Sequence, residues 1–359
     1  MHDRHDPRDR PYSAYQSPTD VVDVMGVGRN GTGSSAEGGV RRVQEVARAL
    51  RENIGQIIVG KTEAIDLLLV AILAEGHVLI EDVPGMGKTM LARALARSLD
   101  VSFSRIQGTA DLLPSDVTGV SYFNQKTGDF EFRAGPIFAS VILADEINRA
   151  TPRTQSALLE AMQERQVTVD GRTMALPPPF LLIATQNPIE LEGTFPVPEA
   201  QLDRFLLRLR LAYLEHDEER AMLFRFQGAR PLEALHPVAT GDDIMALLPV
   251  VESVDVSQVV ADYLLNIVRG TREHVAVELG ASPRAALALF RAAQARAAMD
   301  SRSYVKPDDV KLLAAPVLAH RLVLSAQSRL RGQSSDAVIQ EVVERTSVPV
   351  EETRGGSHG

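Results

Sequence analysis

The sequence predicts an α/β fold, in which a parallel β-sheet is flanked by helices and followed by a smaller helical domain. Two observations support this prediction. Between Val40 and about Ala212, short apolar runs typical of buried strands alternate with helical patterns, as in a doubly wound sheet. From about Leu214 onward, the strand-like runs disappear and helical patterns continue alone. We therefore expect an α/β core and a C-terminal helical domain without strands.

Shifts in composition set the boundaries of these units. Residues 1–39 are rich in charged residues and Pro, then in Gly and Ser, so we predict a disordered N-terminal arm. The α/β core is then expected over 40–213 and the helical domain over 214–335, and 336–359 is expected to be a frayed tail. The clearest helical patterns of the second domain are Thr240–Val251, Val256–Val268, Ser282–Met299 and Pro307–Val323.

The composition agrees with that of a soluble intracellular enzyme. A chain of 359 residues with 45% hydrophobic content can bury one large core and a smaller one. Cysteine is absent from the sequence, which excludes a disulfide framework and thiolate chemistry. No apolar run approaches the roughly 20 residues of a membrane span, and the charged N-terminus lacks the apolar core of a signal peptide. We expect a cytoplasmic protein, and the net charge of −9 makes nucleic acid an unlikely main partner.

The first motif is a glycine-rich loop between a strand-like run and a helical pattern. The run His77–Ile80 precedes Val83–Thr89, and Asp82 stands where the usual loop pattern begins with glycine. The backbone N–H groups of such a loop can wrap a polyphosphate at the N-terminus of the helix. Lys88 would then reach the β- and γ-phosphates, and the hydroxyl of Thr89 would bind magnesium.

Two further strand-like runs end in polar residues. Val141–Ala144 leads to Asp145 and Glu146, and Phe180–Thr185 leads to Asn187. Ligands of open α/β sheets lie at the carboxyl ends of the strands, where Asp145 can hold magnesium and Glu146 can polarise an attacking water. The amide of Asn187 can contact the γ-phosphate or position that water. Taken singly, these motifs also fit a glycine turn, a solvated acidic loop and an Asn-Pro turn; taken together, they predict a nucleotide hydrolase.

Two inserts in the core carry hairpin patterns. The segment 116–136 alternates apolar and polar residues around the turn-rich Asn124–Gly128, and the segment 165–179 contains an Asp-Gly turn before Pro177–Pro179. Hairpins that project from a nucleotide-binding core are candidate contacts for a partner or substrate, and the alternative is surface decoration.

Five segments in order resemble the MoxR family of AAA+ ATPases, and this resemblance extends from about residue 40 to 325. They are Glu81–Thr89, Ala144–Ala150, Gln155–Met162, Ala184–Pro188 and Glu199–Phe205. In MoxR-like sequences aspartate is common at the position of Asp82. The resemblance implies an AAA+ P-loop core with a C-terminal helical lid. The positions of both hairpins also mark a wider group that includes magnesium chelatase motor subunits and replicative helicases.

The resemblance further implies an ATP hydrolase that works as a ring, usually a hexamer, with ATP and Mg²⁺ between subunits. Arg204 resembles the arginine finger that reaches the neighbour's γ-phosphate, Arg284 resembles the second sensor of the lid, and Ile57–Gly60 resembles the segment that packs on adenine. The implied catalytic residues are Glu146, Asn187, Arg204 and Arg284. The implied nucleotide-binding residues are Val59, Gly60, Pro84, Gly85, Met86, Gly87, Lys88, Thr89, Met90 and Asp145, of which Thr89 and Asp145 bind the metal.

Several biological roles are compatible with these features. The resemblance favours a chaperone-like ATPase that acts with a von Willebrand factor A domain protein to mature a client complex or insert its metal cofactor. A magnesium chelatase motor subunit and a DNA-remodelling motor are the alternatives. Basic and acidic residues nearly balance on both hairpins, which disfavours a pore that tracks phosphates. An inactive nucleotide-binding scaffold is disfavoured because every expected phosphate, magnesium and water-positioning residue is present.

Overall fold

The structure is a computed structural model that describes residues 33–83, 85–187, 193–227 and 231–349. The strands, in chain order, are β1 Val78–Glu81, β2 Phe103–Gln107, β3 Gly119–Asn124, β4 Asp129–Ala134, β5 Val141–Asp145, β6 Gln166–Val169, β7 Arg172–Ala175, β8 Leu181–Gln186, β9 Leu207–Leu209, β10 Val277–Leu279 and β11 Val323–Leu324. The helices are α1 Gly33–Gly55, α2 Thr62–Leu73, α3 Lys88–Ser98, α4 Pro114–Thr118, α5 Pro152–Glu164, α6 Glu199–Leu202, α7 His216–Phe226, α8 Pro231–Ala234, α9 Gly241–Glu252, α10 Gln258–Glu273, α11 Pro283–Met299, α12 Pro307–Leu318, α13 Ala326–Leu330 and α14 Ser335–Arg345.

The predicted α/β fold is confirmed by a parallel sheet with the strand order β2-β5-β8-β1-β9. In this order β8 lies between β5 and β1. The register pairs Gln107 with Asp145 and Glu81 with Gln186. The carboxyl ends of the strands that carry the predicted motifs therefore lie side by side at one edge of the sheet.

Both faces of the sheet are covered, which explains the uninterrupted apolar runs of β5 and β8. Along β5, Val141 and Leu143 join the cluster formed with α1, α2 and α3, whereas Ile142 and Ala144 join the cluster formed with α5. Each of these four side chains is at most 2% exposed. Because the side chains of β5 are buried alternately on the two faces of the sheet, packing holds the carboxyl end of the strand, where Asp145 lies, in place.

Each insert contains an antiparallel hairpin. In the first, β3 and β4 pair from Gly119 with Ala134 to Asn124 with Asp129. In the second, β6 and β7 pair from Gln166 with Ala175 to Val169 with Arg172. The turn of the second hairpin uses Asp170 and Gly171, which both have positive φ, as an Asp-Gly hairpin turn requires.

The C-terminal domain is mainly helical, but the expectation that it lacks strands is wrong. The strands β10 and β11 form a short antiparallel pair that joins the segment after α10 to the segment after α12. These strands have three and two residues, so their sequences are too short to carry a periodic signal. The predicted helical pattern Pro307–Val323 ends earlier than expected, at Leu318, and a 3₁₀ turn at Ala319–Arg321 follows it.

The folded part of the chain is longer at both ends than predicted. Helix α1 begins at Gly33, inside the arm expected over 1–39, because an apolar stripe that includes Val40, Val43 and Leu50 is buried against the lid helices. The tail expected to fray from residue 336 is helical to Arg345. Residues 1–32 and 350–359 lie outside the described part of the chain. Among the described residues, no helix is long and apolar enough to cross a membrane.

Candidate nucleotide site

The glycine-rich loop joins β1 to the N-terminus of α3. Gly85 and Gly87 have φ angles of 87° and 88°, a left-handed conformation that glycine adopts without strain. Gly87 precedes the first helical residue, Lys88, and Thr89 follows in the first turn. Buried Lys88 donates from Nζ to the carbonyl oxygen of Asp82 over 2.9 Å, so its stem runs back along the loop. Pro84, also predicted to contact the nucleotide, lies outside the described residues.

Asp82 has a structural task that a glycine could not perform. Its Oδ1 accepts a hydrogen bond from the Val83 N–H over 2.8 Å, and its Oδ2 accepts one from the Leu211 N–H over 2.6 Å. Its own N–H donates to the Gln186 carbonyl over 3.2 Å. Asp82 thus ties the start of the loop to the ends of β8 and β9, which explains the departure from the usual pattern.

A buried threonine holds the two acidic residues together. Thr185, which is fully buried in β8, donates from Oγ1 to Asp145 Oδ1 over 2.7 Å and accepts the Glu146 N–H over 2.8 Å. Glu146 has φ 54°, which turns the chain sharply after β5. A Cβ at Gly108 would clash with the Glu146 carbonyl oxygen, so glycine is required there for the turn to fit.

Both carboxylates also meet side chains from β2. The Arg105 guanidinium lies 2.6 Å from Asp145 Oδ2 and also donates to Gln107 Oε1 over 2.7 Å. Gln107 Nε2 donates to Glu146 Oε2 over 3.1 Å, and Arg149 Nε lies 3.0 Å from the same oxygen. The acids are therefore held by cationic and amide groups at the edge of the sheet.

Asn187 follows β8 directly and is 6% exposed. Because β8 separates β5 from β1, Asn187 lies between the strand that ends in Asp145 and the strand that leads into the glycine-rich loop. The sheet order therefore brings the loop, the acids and this amide to neighbouring positions at one edge. A γ-phosphate held by the loop would face all three.

The residues at this edge fit magnesium. Thr89 in the first turn of α3 and Asp145 at the end of β5 offer hydroxyl and carboxylate oxygens, the ligands that Mg²⁺ prefers. No group of three or more His, Cys, Asp and Glu able to hold a metal occurs within the described ranges. Mg²⁺ does not require such a group, because it usually binds one or two protein oxygens together with phosphates and water.

Beside the loop lies a largely apolar pocket of about 430 Å³. Val59, Gly85, Met86, Gly87 and Met90 from the predicted nucleotide-binding set line it. The other lining residues are Ile57, Ile58, Lys61, Tyr213, Leu214, Glu219, Met222 and Phe226. An apolar pocket next to a phosphate loop suits a nucleotide base, and the residues from Tyr213 to Phe226 were not predicted to line it because they are distant from the loop in sequence.

Gly60 belongs to the segment predicted to pack on adenine, but its position differs from that of Val59. It lines a neighbouring cleft rather than the base pocket. Its φ is 68°, and a Cβ there would clash with the carboxyl group of Glu218. Gly60 therefore has a conformational role in the turn before α2.

The two predicted arginines lie outside the strands and the loop that form the site. Arg204 is half-buried after α6, and its Nη1 donates to the Leu159 carbonyl oxygen over 3.3 Å. Arg284 is exposed in the first turn of α11. Across the described residues, neither arginine forms an ion pair with Asp145 or Glu146. Sequence reasoning also missed Arg105, Gln107 and Thr185, whose roles become visible only when the strand order is known.

Comparison with known proteins identifies both parts of the chain. Residues 77–207 match the model of the "ATPase family associated with various cellular activities (AAA)", and residues 269–342 match that of the "AAA lid domain". These matches correspond to the sheet with its loop and to most of the C-terminal helical domain.

Relatives and a solved structure resemble the chain over most of its length. The protein YeaC of Bacillus subtilis is 51% identical over 300 residues, which are 84% of this chain and 94% of YeaC. Chaperone MoxR1 of Mycobacterium tuberculosis is 41% identical over 323 residues, 88% of this chain and 85% of MoxR1. The solved structure of a proposed ATPase from Cytophaga hutchinsonii has a TM-score of 0.83 and 37% identity, covering 88% of this chain and 99% of that chain. The chain therefore belongs to the MoxR family of AAA+ ATPases and is an ATP hydrolase.

Proposed function

We propose that this ATPase assembles into a ring, uses ATP with Mg²⁺ at sites shared between subunits, and remodels a client protein complex in a chaperone-like manner. The strand order at the site supports the use of ATP in this proposal most directly. The glycine-rich loop, Asn187 and the Asp145–Glu146 pair follow neighbouring strands, so one nucleotide can contact all of them. The name of the relative Chaperone MoxR1 agrees with a chaperone-like role.

Within one subunit, each group has a distinct task. Lys88 and the loop N–H groups bind the phosphates, and Thr89 and Asp145 hold the metal, which neutralises charge on the phosphates when bound. Glu146 accepts the proton of the attacking water, and Asn187 orients that water or the γ-phosphate. For this task Glu146 must exchange its contacts with Gln107 and Arg149 for the water.

The cations that the same subunit brings to the acids, Arg105 and Arg149, are paired with Asp145 and Glu146, so the remaining charge on the γ-phosphate requires a further cation. We propose that Arg204 supplies it to the neighbouring subunit and that Arg284 contacts the nucleotide from the lid. An arginine given in trans raises phosphoryl transfer by about 10³ to 10⁵ where it has been measured. An isolated subunit should therefore hydrolyse ATP very slowly.

The first hairpin supports a protein client. Tyr122, Phe123 and Phe130 are 47%, 52% and 72% exposed, and Phe123 and Phe130 pack edge to face. Exposed aromatic clusters are typical of protein contacts. Glu131 is held by Tyr122 and Asn124 on the same hairpin, which places a carboxylate where a DNA-binding hairpin would need a cation. We propose that this hairpin contacts the client and that a von Willebrand factor A domain protein acts as the partner.

The choice between the candidate roles can be tested by stimulation of hydrolysis. The ATPase rate of the assembled protein would be measured with unfolded casein, with double-stranded DNA, and with protoporphyrin plus Mg²⁺. We expect casein alone to raise the rate, and Phe130→Ala, compared with the exposed control Leu330→Ala, to reduce that stimulation without changing the basal rate. Stimulation by DNA would favour a DNA motor, and stimulation by the porphyrin would favour a chelatase subunit.

A further inference from the structure

We propose that Arg321 of the lid is a positioning residue that holds the backbone around Arg204 and couples lid position to the arginine finger. This inference rests on the proposed role of Arg204 as a finger in trans. Arg321 ends the 3₁₀ turn that follows α12, and its side chain is 2% exposed. The turn packs against α6 and β9, so it reaches from the lid into the core.

The guanidinium of Arg321 contacts the carbonyl oxygens of both residues that flank Arg204. Nη2 donates to the Phe205 carbonyl oxygen over 2.5 Å and to the Asp203 carbonyl oxygen over 3.3 Å. Its Nε lies 3.1 Å from Asp203 Oδ1, in an ion pair. The preceding residue, His320, contacts the Phe205 carbonyl oxygen through Nε2 over 3.2 Å. These contacts hold the backbone carbonyl groups of both residues next to Arg204.

The same aspartate also binds the start of α11. Ser282 Oγ lies 3.3 and 3.1 Å from the two carboxylate oxygens of Asp203. Ser282 is the N-cap of α11, where its Oγ accepts the Ala285 N–H over 3.2 Å. Arg284, the proposed second sensor, stands in the first turn of that helix. One carboxylate therefore joins the segment of Arg204 to two separate elements of the lid.

The energetics of this cluster favour positioning over simple stabilisation. Burial lowers the pKa of Arg321 to about 10, although Asp203 opposes that shift, and nearby Arg284 lowers the pKa further. The group still carries its charge at neutral pH. Its Nε and Nη1 are buried and have no hydrogen-bond partner among the described residues, so Nε meets Asp203 as an ion pair only. A buried ion pair with unmet donors is a weak source of stability. The planar guanidinium instead favours a defined geometry of the groups that it binds.

This geometry gives the lid a mechanical connection to the finger. A nucleotide that draws Arg284 towards it displaces α11, and Ser282 and Asp203 pass that displacement to the backbone of Arg204. Arg321 prevents the segment from relaxing independently of the lid. The Arg321→Lys variant keeps the charge but loses the planar guanidinium, in which Nη2 binds the two carbonyl oxygens while Nε pairs with the Asp203 carboxylate.

Mixed rings test this inference. Co-expressed Lys88→Ala subunits cannot bind nucleotide but present an intact Arg204, so they should restore hydrolysis at the sites of Arg204→Ala subunits. We expect Arg321→Lys alone to bind a fluorescent ATP analogue within about threefold of wild type and to lose at least about tenfold in kcat. Mixed with Lys88→Ala, Arg321→Lys should regain activity. The double variant Lys88→Ala/Arg321→Lys should fail to restore Arg204→Ala.

Arg302→Lys is the matched control. Arg302 is a lid arginine with 16% side-chain exposure that binds Asp309 through two nitrogens, and it lies outside the nucleotide site. We expect this variant to change stability but to leave kcat and complementation intact. If Arg321→Lys does not fold, Asp203→Asn removes the ion pair and is expected to give the same pattern of complementation.

The outcomes distinguish the proposed role of Arg204 as a finger in trans from the proposed role of Arg321 in positioning it. If Lys88→Ala and Arg204→Ala subunits fail to complement each other, the finger in trans is wrong. If they complement each other but Arg321→Lys is as active as wild type, or is not rescued by Lys88→Ala, the role of Arg321 in positioning the finger is wrong.

Discussion

At the scale of single residues, Thr185 connects the two acids to the core of the sheet. Its hydroxyl donates a hydrogen bond to Asp145 and accepts one from the Glu146 N–H, and the side chain is fully buried. No water can replace these bonds. The direction of the chain after β5 therefore depends on one buried hydroxyl.

Replacement of this hydroxyl should be costly even though the volume is conserved. Thr185→Val would leave a buried N–H and a carboxylate oxygen without their partner, at a cost of about 1–3 kcal/mol. We expect a lower free energy of unfolding in denaturant titrations and slower ATP hydrolysis. Thr185→Ser retains the hydroxyl and is the matched control; equal losses in both variants would contradict the assigned role.

Variants of Lys88 and Glu146 should distinguish nucleotide binding from ATP hydrolysis. Lys88→Ala removes the cation of the phosphate loop and is expected to abolish nucleotide binding. Glu146→Gln keeps the size of the side chain but removes the proton acceptor, so binding should persist while hydrolysis falls by about 10² to 10⁴. Equilibrium binding of a fluorescent ATP analogue and phosphate release measure the two effects. Normal turnover by Glu146→Gln would show that another group activates the water.

At the scale of elements, α14 anchors the lid. Ser334 caps it by accepting the Ala337 N–H over 3.2 Å, and Val338, Ile339 and Val342 are buried against the neighbouring helices. Arg208 of β9 binds Asp336 in the first turn through two oxygens. The final helix is thus fastened both to the lid and to the edge of the sheet.

Truncation of one α14 side chain should therefore destabilise the protein. Ile339→Ala leaves a cavity in a fully enclosed site, and losses of about 2–5 kcal/mol are typical of such changes. Gln340→Ala, on the exposed side of the same helix, should have little effect. Denaturant titration of both variants is the measurement, and equal midpoints would indicate that α14 contributes little to the folded state.

His77 connects α5 to the sheet and should make the fold sensitive to acid. Its Nε2 donates to the Met162 carbonyl oxygen over 3.0 Å, and its Nδ1 accepts the Leu182 N–H over 3.1 Å, so the ring must be neutral. Burial first, and then the nearby positive charge of Arg165, lowers the pKa of His77 from 6.5 to about 3.

The sign of the pH dependence follows from these two pKa values. Below about pH 6.5 the unfolded histidine binds a proton that the folded one excludes, so the free energy of unfolding should decrease from pH 6.5 towards pH 3. Denaturant titrations at several pH values between about 7 and 4.5 give the free energy of unfolding as a function of pH. This free energy should change less steeply with pH for His77→Gln than for wild type, whatever the absolute stability of the variant. Equal slopes would contradict this assignment.

Elements with a strong periodic or apolar signal could be predicted from the sequence, and elements fixed by tertiary contacts could not. β5 and β8 are continuous apolar runs because both faces of the sheet are buried, and the loop before α3 is defined by its own glycines. Arg105 and Gln107 reach the acids only through the pairing of β2 with β5, which no local pattern reveals. The Gly-rich start of α1 and the polar stretch of α14 suggested disorder. Both segments are helical because apolar residues along one face of each helix are buried.

At the scale of the whole molecule, the lid and the core share one continuous apolar cluster that runs from α1 and α2 to α11 and α12. Polar bridges supplement it at the site: Asp203 joins Ser282 and Arg321, and Arg208 joins Asp336. A nucleotide at the base pocket would therefore be sensed by both domains. Across the described residues Arg204 forms no ion pair with Asp145 or Glu146, which is compatible with the proposed role of Arg204 in a neighbouring subunit.

The most direct test of the shared site is the rate of ATP hydrolysis per subunit as a function of protein concentration, with the mass of the particle measured in parallel with and without ATP and Mg²⁺. We predict that the rate per subunit rises as monomers assemble into rings, and that Arg204→Ala assembles but stays near the rate of the monomer. A constant rate from a stable monomer would contradict the account, because hydrolysis would then need no residue from a neighbouring subunit.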